Sequence, residues 1–113
     1  MATVTPVTVA TKPFDGQQPG TSGLRKATKV FMQPHYTENF VQATLSAMVS
    51  RLANSTLVVG GDGRFYGKEA TLKIIQMCAA NKVGAVSISC NIMHDNVNEF
   101  HTGSCLYILH ICR

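Results

Sequence analysis

An α/β fold is what this 113-residue sequence predicts, and three observations predict it. Two stretches, Thr37–Leu52 and Lys68–Ala80, carry apolar residues at helical spacing. Apolar runs at Thr56–Val59 and Val83–Ser89 flank the second of them and have the composition of strands. Strand, helix, strand, helix, strand is the alternation that gives a parallel or mixed sheet with right-handed crossovers. Two main helices do not cover both faces of such a sheet well, and the architecture looks unfinished at Ser89.

Each element has its own signals. Val4–Ala10 alternates Thr and Val and reads as an edge strand, because Pro6 removes a donor that a central strand needs. Thr11–Gly23 holds Pro13, Gly16, Pro19, Gly20 and Gly23 and reads as a loop. Leu24–Phe31 reads as a short basic strand that Pro34 ends. In the first helix Phe40, Leu45, Met48 and Leu52 fall near one face, Thr37 is the expected N-cap, and Glu38 suits the positive end of the dipole. Gly60-Gly61-Asp62-Gly63 stops the next strand. In the second helix Leu72, Ile75 and Ala79 line one side, with Ile74 and Cys78 beside them; Asn81 and Gly84 supply end signals. Beyond Asn91 no period is visible, and Ser104–Cys112 is an uncharged apolar run compatible with a strand or with an exposed, aggregation-prone edge.

Composition excludes several classes. With 45% hydrophobic and 14% charged residues the chain is neither a disordered polyelectrolyte nor a coiled coil. Its length allows one domain at most. No apolar run approaches the roughly 18 residues of a membrane helix, so no membrane partner is expected. Ten Lys+Arg against six Asp+Glu give a formal +4. These charges are scattered except for Arg25, Lys26 and Lys29, with Phe31 the sole aromatic nearby. Nucleic-acid binders usually show a denser stripe, and a local anion site explains this charge as well as a DNA-binding face does, so no nucleic-acid partner is expected. The N-terminus lacks a basic-then-apolar leader and has no Arg before Arg25, which predicts a cytoplasmic protein in which Cys78, Cys90, Cys105 and Cys112 are reduced thiols.

Gly20-Thr21-Ser22-Gly23-Leu24-Arg25-Lys26 is the most informative stretch for chemistry. Glycines let a backbone approach a ligand and aim N–H groups at it; Thr21 and Ser22 add hydroxyls; Arg25 offers a planar fork for phosphate oxygens. A Gly-rich turn ahead of a basic surface strand accounts for the same residues. Gly60–Arg64 sits where a strand hands over to a helix, where ligands of parallel sheets bind. Yet Tyr66 replaces the third glycine of the dinucleotide fingerprint, Glu69 replaces the Ser/Thr of a P-loop, and Asp62 has no carboxylate neighbour before Glu69, so a tight turn is expected there. The tail offers Cys90-x3-His94 and His101-x3-Cys105, then His110 and Cys112, ligand types that zinc takes, although no Cys-x2-Cys knuckle is present. Neither Ser22 nor His35 has a partner in sequence that makes a nucleophile–base pair.

Several of these segments, in this order, resemble the start of the phosphoglucomutases, in the α-D-phosphohexomutase superfamily. The carriers are Thr11-Lys-Pro-Phe-Asp-Gly-Gln-Gln-Pro-Gly-Thr-Ser-Gly-Leu-Arg-Lys26, Tyr36-Thr-Glu-Asn-Phe-Val-Gln-Ala-Thr44, Leu57-Val-Val-Gly-Gly-Asp-Gly-Arg-Phe-Tyr66, Lys68-Glu-Ala70 and Ala79-Ala-Asn81. The resemblance implies residues 1–84 as a partial α/β/α domain I with a mixed sheet, and 85–113 as a divergent tail. It implies a cytosolic enzyme of four domains that interconverts glucose 1-phosphate and glucose 6-phosphate through a phosphoserine and glucose 1,6-bisphosphate, with Mg²⁺ held by an Asp-Gly-Asp-Gly-Asp loop. Arg25 matches the family arginine that helps bind the bisphosphate; Thr21 and Ser22 belong to the same loop. Gln18 and Ala27 stand where relatives often carry Lys, which removes positive charge near the loop.

The phosphoserine loop Thr-Ala-Ser-His-Asn-Pro and the Asp-rich metal loop do not occur in this sequence, so no catalytic residue and no magnesium ligand is assigned and the chain is expected to be inactive alone. Truncation with an unrelated ending is the expectation for the tail. Two other readings stand beside this one: a small zinc-binding module built on the Cys/His tail, and an interaction protein that pairs with full-length enzyme through an open sheet edge.

Overall fold

The computed structural model describes residues 5–21, 23–61, 65–90, 104–105 and 110–112. Its elements in order are β1 (Arg25–Lys26), α1 (Thr28–Phe31), α2 (Tyr36–Ala47), a short 3-10 helix (Val49–Asn54), β2 (Thr56–Gly61), α3 (Gly67–Ala80), β3 (Ala85–Cys90), β4 (Ser104–Cys105) and β5 (His110–Cys112). β2 and β3 run parallel in continuous register from Thr56↔Ala85 to Gly61↔Cys90, with α3 as the crossover between them. β5 lies antiparallel on the other side of β2, from Thr56↔Cys112 to Val58↔His110. The sheet is therefore mixed, in the order β3-β2-β5. β1 pairs with β4 in a separate two-stranded ribbon.

Burial divides into two clusters joined by the helices. One contains Val41 and Leu45 of α2, Leu52, Leu57 and Val59 of β2, and Ile74 and Cys78 of α3. The other contains Leu24, Phe31, Tyr36 and Ala70, with Phe14, Phe40 and Tyr66 packed around it. The first is the α-on-β interface of a crossover unit. The second lies under the N-terminal loop and β1, so it positions the Gly20–Lys26 stretch.

α3 ends in a Schellman motif. The Val83 N–H donates to the Cys78 carbonyl at 3.0 Å, and the Lys82 N–H donates to the Ala79 carbonyl at 3.2 Å. Lys82 takes the left-handed conformation with a φ of 57°, and Val83 packs back against the core. Gly84, expected as the helix stop, has a different job. A Cβ on it would come within 2.6 Å of the Ala53 carbonyl oxygen and 3.0 Å of the Ser55 carbonyl oxygen. Its N–H reaches the Leu52 carbonyl at 2.9 Å, so the bare backbone lets the chain enter β3 against the 3-10 helix.

Several sequence expectations change. Residues 5–10 form no strand, and Val7 and Val9 are exposed. Leu24–Phe31 is not one strand: only Arg25–Lys26 is extended, and Thr28–Phe31 turns into α1, which swings Phe31 into the second cluster beside Leu24. Thr37 is not an N-cap. That position belongs to His35 in a left-handed conformation, while Thr37 is buried and its hydroxyl donates to the Phe31 carbonyl at 3.0 Å. α2 stops at Ala47 and buries Tyr36, Thr37, Val41 and Leu45, with Phe40 and Met48 only half-buried. α3 buries Ala70, Ile74 and Cys78, whereas Leu72 is 56% exposed. Its sequence holds two apolar stripes about one residue apart. The inward one has the smaller residues, which lets α3 approach β2 and α2 closely.

Gly84→Ala is expected to destabilise the protein by about 2 kcal/mol, because rigid backbone oxygens would have to move. Lys82→Gly is expected to stabilise it by about 0.5–1 kcal/mol, because glycine adopts the left-handed conformation without a Cβ penalty. Denaturant titrations of both variants check the opposite signs.

Candidate functional site

The loop ahead of β1 is held from below by aromatic packing. Tyr36 stands at the first position of α2 and is almost wholly buried. Phe14 meets its ring edge-on with centroids 4.9 Å apart, and Phe31 meets it edge-on at 5.7 Å. Polar contacts then fix the loop to the same helix turn. The Gln17 side-chain amide donates to the Tyr36 carbonyl at 2.8 Å, and Asn39 donates to the Gln17 side-chain carbonyl at 2.7 Å. The Thr11 hydroxyl donates to Asn39 Oδ1 at 2.7 Å. Residues 11 and 17, far apart along the loop, thus share one anchor on α2.

Beyond that anchor the chain closes a tight turn. The Gly20 N–H donates to the Gly23 carbonyl and the Gly23 N–H donates to the Gly20 carbonyl, both at 3.1 Å. These two amides are therefore spent on the hairpin and do not face a ligand, contrary to the expectation from the glycines. Thr21 is exposed at the tip; Ser22 lies outside the described residues. Leu24 plunges into the second cluster, 1% exposed, and this fixes Arg25 on the outside, since neighbouring strand residues alternate sides. Arg25 pairs in register with Cys105 through the backbone, which leaves its guanidinium free to project. The structure thus brings Thr21 and Arg25 to one exposed ribbon on a rigid base.

Other expected centres are not assembled. Asp62, Gly63 and Arg64 lie outside the described residues. So do the side chains of the proposed zinc set, Cys90, His94, His101, Cys105, His110 and Cys112. Among the described residues no three His, Cys, Asp or Glu side chains converge on a metal position. Cys78 is a free, buried thiol whose pKa burial pushes up, so it is not a reactive group. His35 is exposed and lines a groove of about 580 Å³ between residues 6–11 and the helices α2 and α3. Neither Thr21 nor Arg25 lines that groove. No described helix is long and apolar enough to cross a membrane.

Comparison with known proteins decides the family. Residues 16–111 match the family described as phosphoglucomutase/phosphomannomutase, alpha/beta/alpha domain I. The chain belongs to this family. Similar relatives include Phosphoglucomutase 1 of Drosophila melanogaster, 64% identical over 83 residues, which are 74% of this chain and 15% of the relative. The cytoplasmic phosphoglucomutase of Mesembryanthemum crystallinum is 58% identical over 87 residues, 76% of this chain and 15% of the relative. That of Solanum tuberosum is 58% identical over 84 residues, 74% of this chain and 14% of the relative. The chain thus spans about 15% of the length of the phosphoglucomutases it matches. The incomplete α/β architecture agrees with the domain I assignment, and the comparisons lend no support to a zinc module.

Tyr36, Lys73 and Cys78 all hold their protons more tightly than usual. Burial raises Tyr36, with Gln17 opposing it, and burial raises Cys78. Burial alone would lower Lys73, but the hydrogen bond and charge of Glu38, aided by Tyr66, outweigh it. The folded protein therefore keeps protons that the unfolded chain releases, so stability is flat through neutrality and is lost as pH rises through the raised values. The Tyr36 hydroxyl is buried without a hydrogen-bond partner. Tyr36→Phe removes it while keeping both ring contacts. That variant is expected to match or exceed the parent by up to about 1 kcal/mol at neutral pH and to lose stability less steeply in alkali. Thermal melts across pH read both effects.

Proposed function

We propose that this chain presents the glucose-phosphate-binding loop of a phosphoglucomutase, with Arg25 as the principal anion contact and Thr21 and Ser22 as neighbouring hydroxyl donors. The observation that supports it is the anchored loop: Tyr36, Gln17 and Asn39 hold residues 11–17, Leu24 pins the start of β1, and Arg25 is left exposed beside the turn. A guanidinium in that setting offers two parallel N–H donors to a phosphoryl group, and Lys26 and Lys29 raise the local positive potential. The expected ligands are glucose 1-phosphate, glucose 6-phosphate and glucose 1,6-bisphosphate. Relatives named cytoplasmic phosphoglucomutases support a cytoplasmic location.

The residues do not fit magnesium. The family's metal loop needs clustered aspartates, and neither the sequence nor the described residues supply such a cluster. No serine in the sequence is followed by histidine, so the chain also lacks the phosphoryl-carrying motif of the family. Its own residues bind and orient a phosphate ester; they do not transfer the group.

Isothermal titration with the three sugar phosphates is expected to show salt-sensitive binding that Arg25→Ala weakens by about tenfold or more, the worth of one charge-assisted hydrogen bond. A coupled assay for glucose 6-phosphate is expected to show no turnover. Undiminished affinity in Arg25→Ala, or conversion above background, refutes the respective half of this reading.

A further inference from the structure

The groove of about 580 Å³ between residues 6–11 and the helices α2 and α3 has a one-sided chemistry. Among its described lining residues Glu38 is the sole Lys, Arg, Asp or Glu. Lys73 is not part of the lining and holds only one of the two Glu38 oxygens. The other, Oε2, is buried with no hydrogen-bond partner among the described residues. A carboxylate oxygen shut off from water in this way carries a desolvation cost that an incoming N–H donor offsets. The amides beside Glu38 have spent their hydrogens. Gln42 Nε2 donates to Asn81 Oδ1 at 2.9 Å and to Ser46 Oγ at 3.2 Å. Asn81 Nδ2 donates to Gln42 Oε1 at 2.9 Å and to the Met77 carbonyl at 2.8 Å. Both N–H bonds of each amide are used, while each amide oxygen accepts one bond in this exchange and keeps a second lone pair. The groove therefore offers acceptors and one carboxylate, and Val7, Val9, Met77 and Ala80 give it an apolar surface.

We infer that this groove binds a small aliphatic diammonium ion, with Glu38 as the charged contact and the Gln42 and Asn81 side-chain oxygens as acceptors for the second ammonium. Glu38 and Gln42 stand four residues apart on α2, about 6 Å along its axis, so a short diamine spans them while its methylenes lie on the apolar surface. The volume is that of a small-ligand site. An anionic ligand would meet the Glu38 carboxylate with no lining Lys or Arg to hold it, so the groove is separate in chemistry as well as in place from the Arg25 loop. The inference does not rest on the glucose-phosphate reading, which uses other residues.

The test titrates the full chain with 1,4-diaminobutane and with its neutral counterpart 1,4-butanediol, read by backbone amide NMR. The diamine is expected to shift residues 38–46 and 77–81, to weaken with added salt, and to bind about tenfold or more tightly than the diol. Ala43 lines the groove from an exposed position on α2, where helix-forming residues are tolerated. Ala43→Lys, which places a competing cation there, is expected to weaken the diamine about fivefold or more, and Ala43→Glu, of similar bulk, to strengthen it. Absence of diamine binding, equal affinity for diamine and diol, shifts confined to residues outside the groove, or the same affinity in Ala43→Lys and Ala43→Glu each overturns the assignment and leaves the Arg25 reading untouched.

Discussion

The docking of α2 against α3 is the constraint on which the rest of this structure depends. It is secured at three levels along the helices. Near the start of α2, Glu38 pairs with Lys73 across the gap, each side chain only about a quarter exposed. In the middle, Val41 and Leu45 share a cluster with Ile74 and Cys78. At the C-terminal end of α3, Asn81 exchanges amide hydrogen bonds with Gln42 of α2, each 2.9 Å, and also donates to the Met77 carbonyl at 2.8 Å. Apolar contact supplies most of the driving force, and the polar pairs fix the rotation of each helix about its axis. Once that phase is set, α3 faces β2 with small residues and the parallel pairing of β2 with β3 follows.

The same helix pair carries the N-terminal loop. α2 contributes Tyr36 at one end and Val41 and Leu45 further on, so a single rigid element reaches both clusters. α3 does the same through Ala70 and Ile74. The loop from residue 11 to the Gly20–Gly23 turn has almost no regular structure of its own, yet it meets α2 through one aromatic edge, that of Phe14, and three side-chain hydrogen bonds. Functional loops are commonly positioned in this way by a scaffold that does not touch the ligand. The left-handed entry residues of both helices, His35 and Tyr66, turn the chain sharply there without a side-chain cap.

What was legible in the sequence, and what was not, follows from the range of the forces involved. The crossover from Thr56 through α3 to β3 was visible because periodic apolar residues, glycine stops and β-branched runs are local signals, and the mixed sheet was expected from them. The loop with Arg25 was visible through its ordered motifs. Missed were the split of Leu24–Phe31 into β1 and α1, the role of Thr37, and the inward stripe of α3. In each case a local pattern allowed two outcomes, and contact with a distant element selected one: Phe31 is drawn toward Tyr36, Thr37 finds the Phe31 carbonyl, and Ala70 fits where Leu72 would not.

By itself the sequence determined membership in the phosphoglucomutase/phosphomannomutase domain I family and the order of strand and helix from Thr56 to β3. These depend on residue type and spacing along one segment. Tertiary structure alone decided that the Gly20 and Gly23 amides close a turn and are unavailable to a ligand, and that Gly84 makes room for a neighbouring backbone. Each of these turns on the distance between atoms whose positions the intervening chain leaves free, and only packing of the whole fold sets that distance.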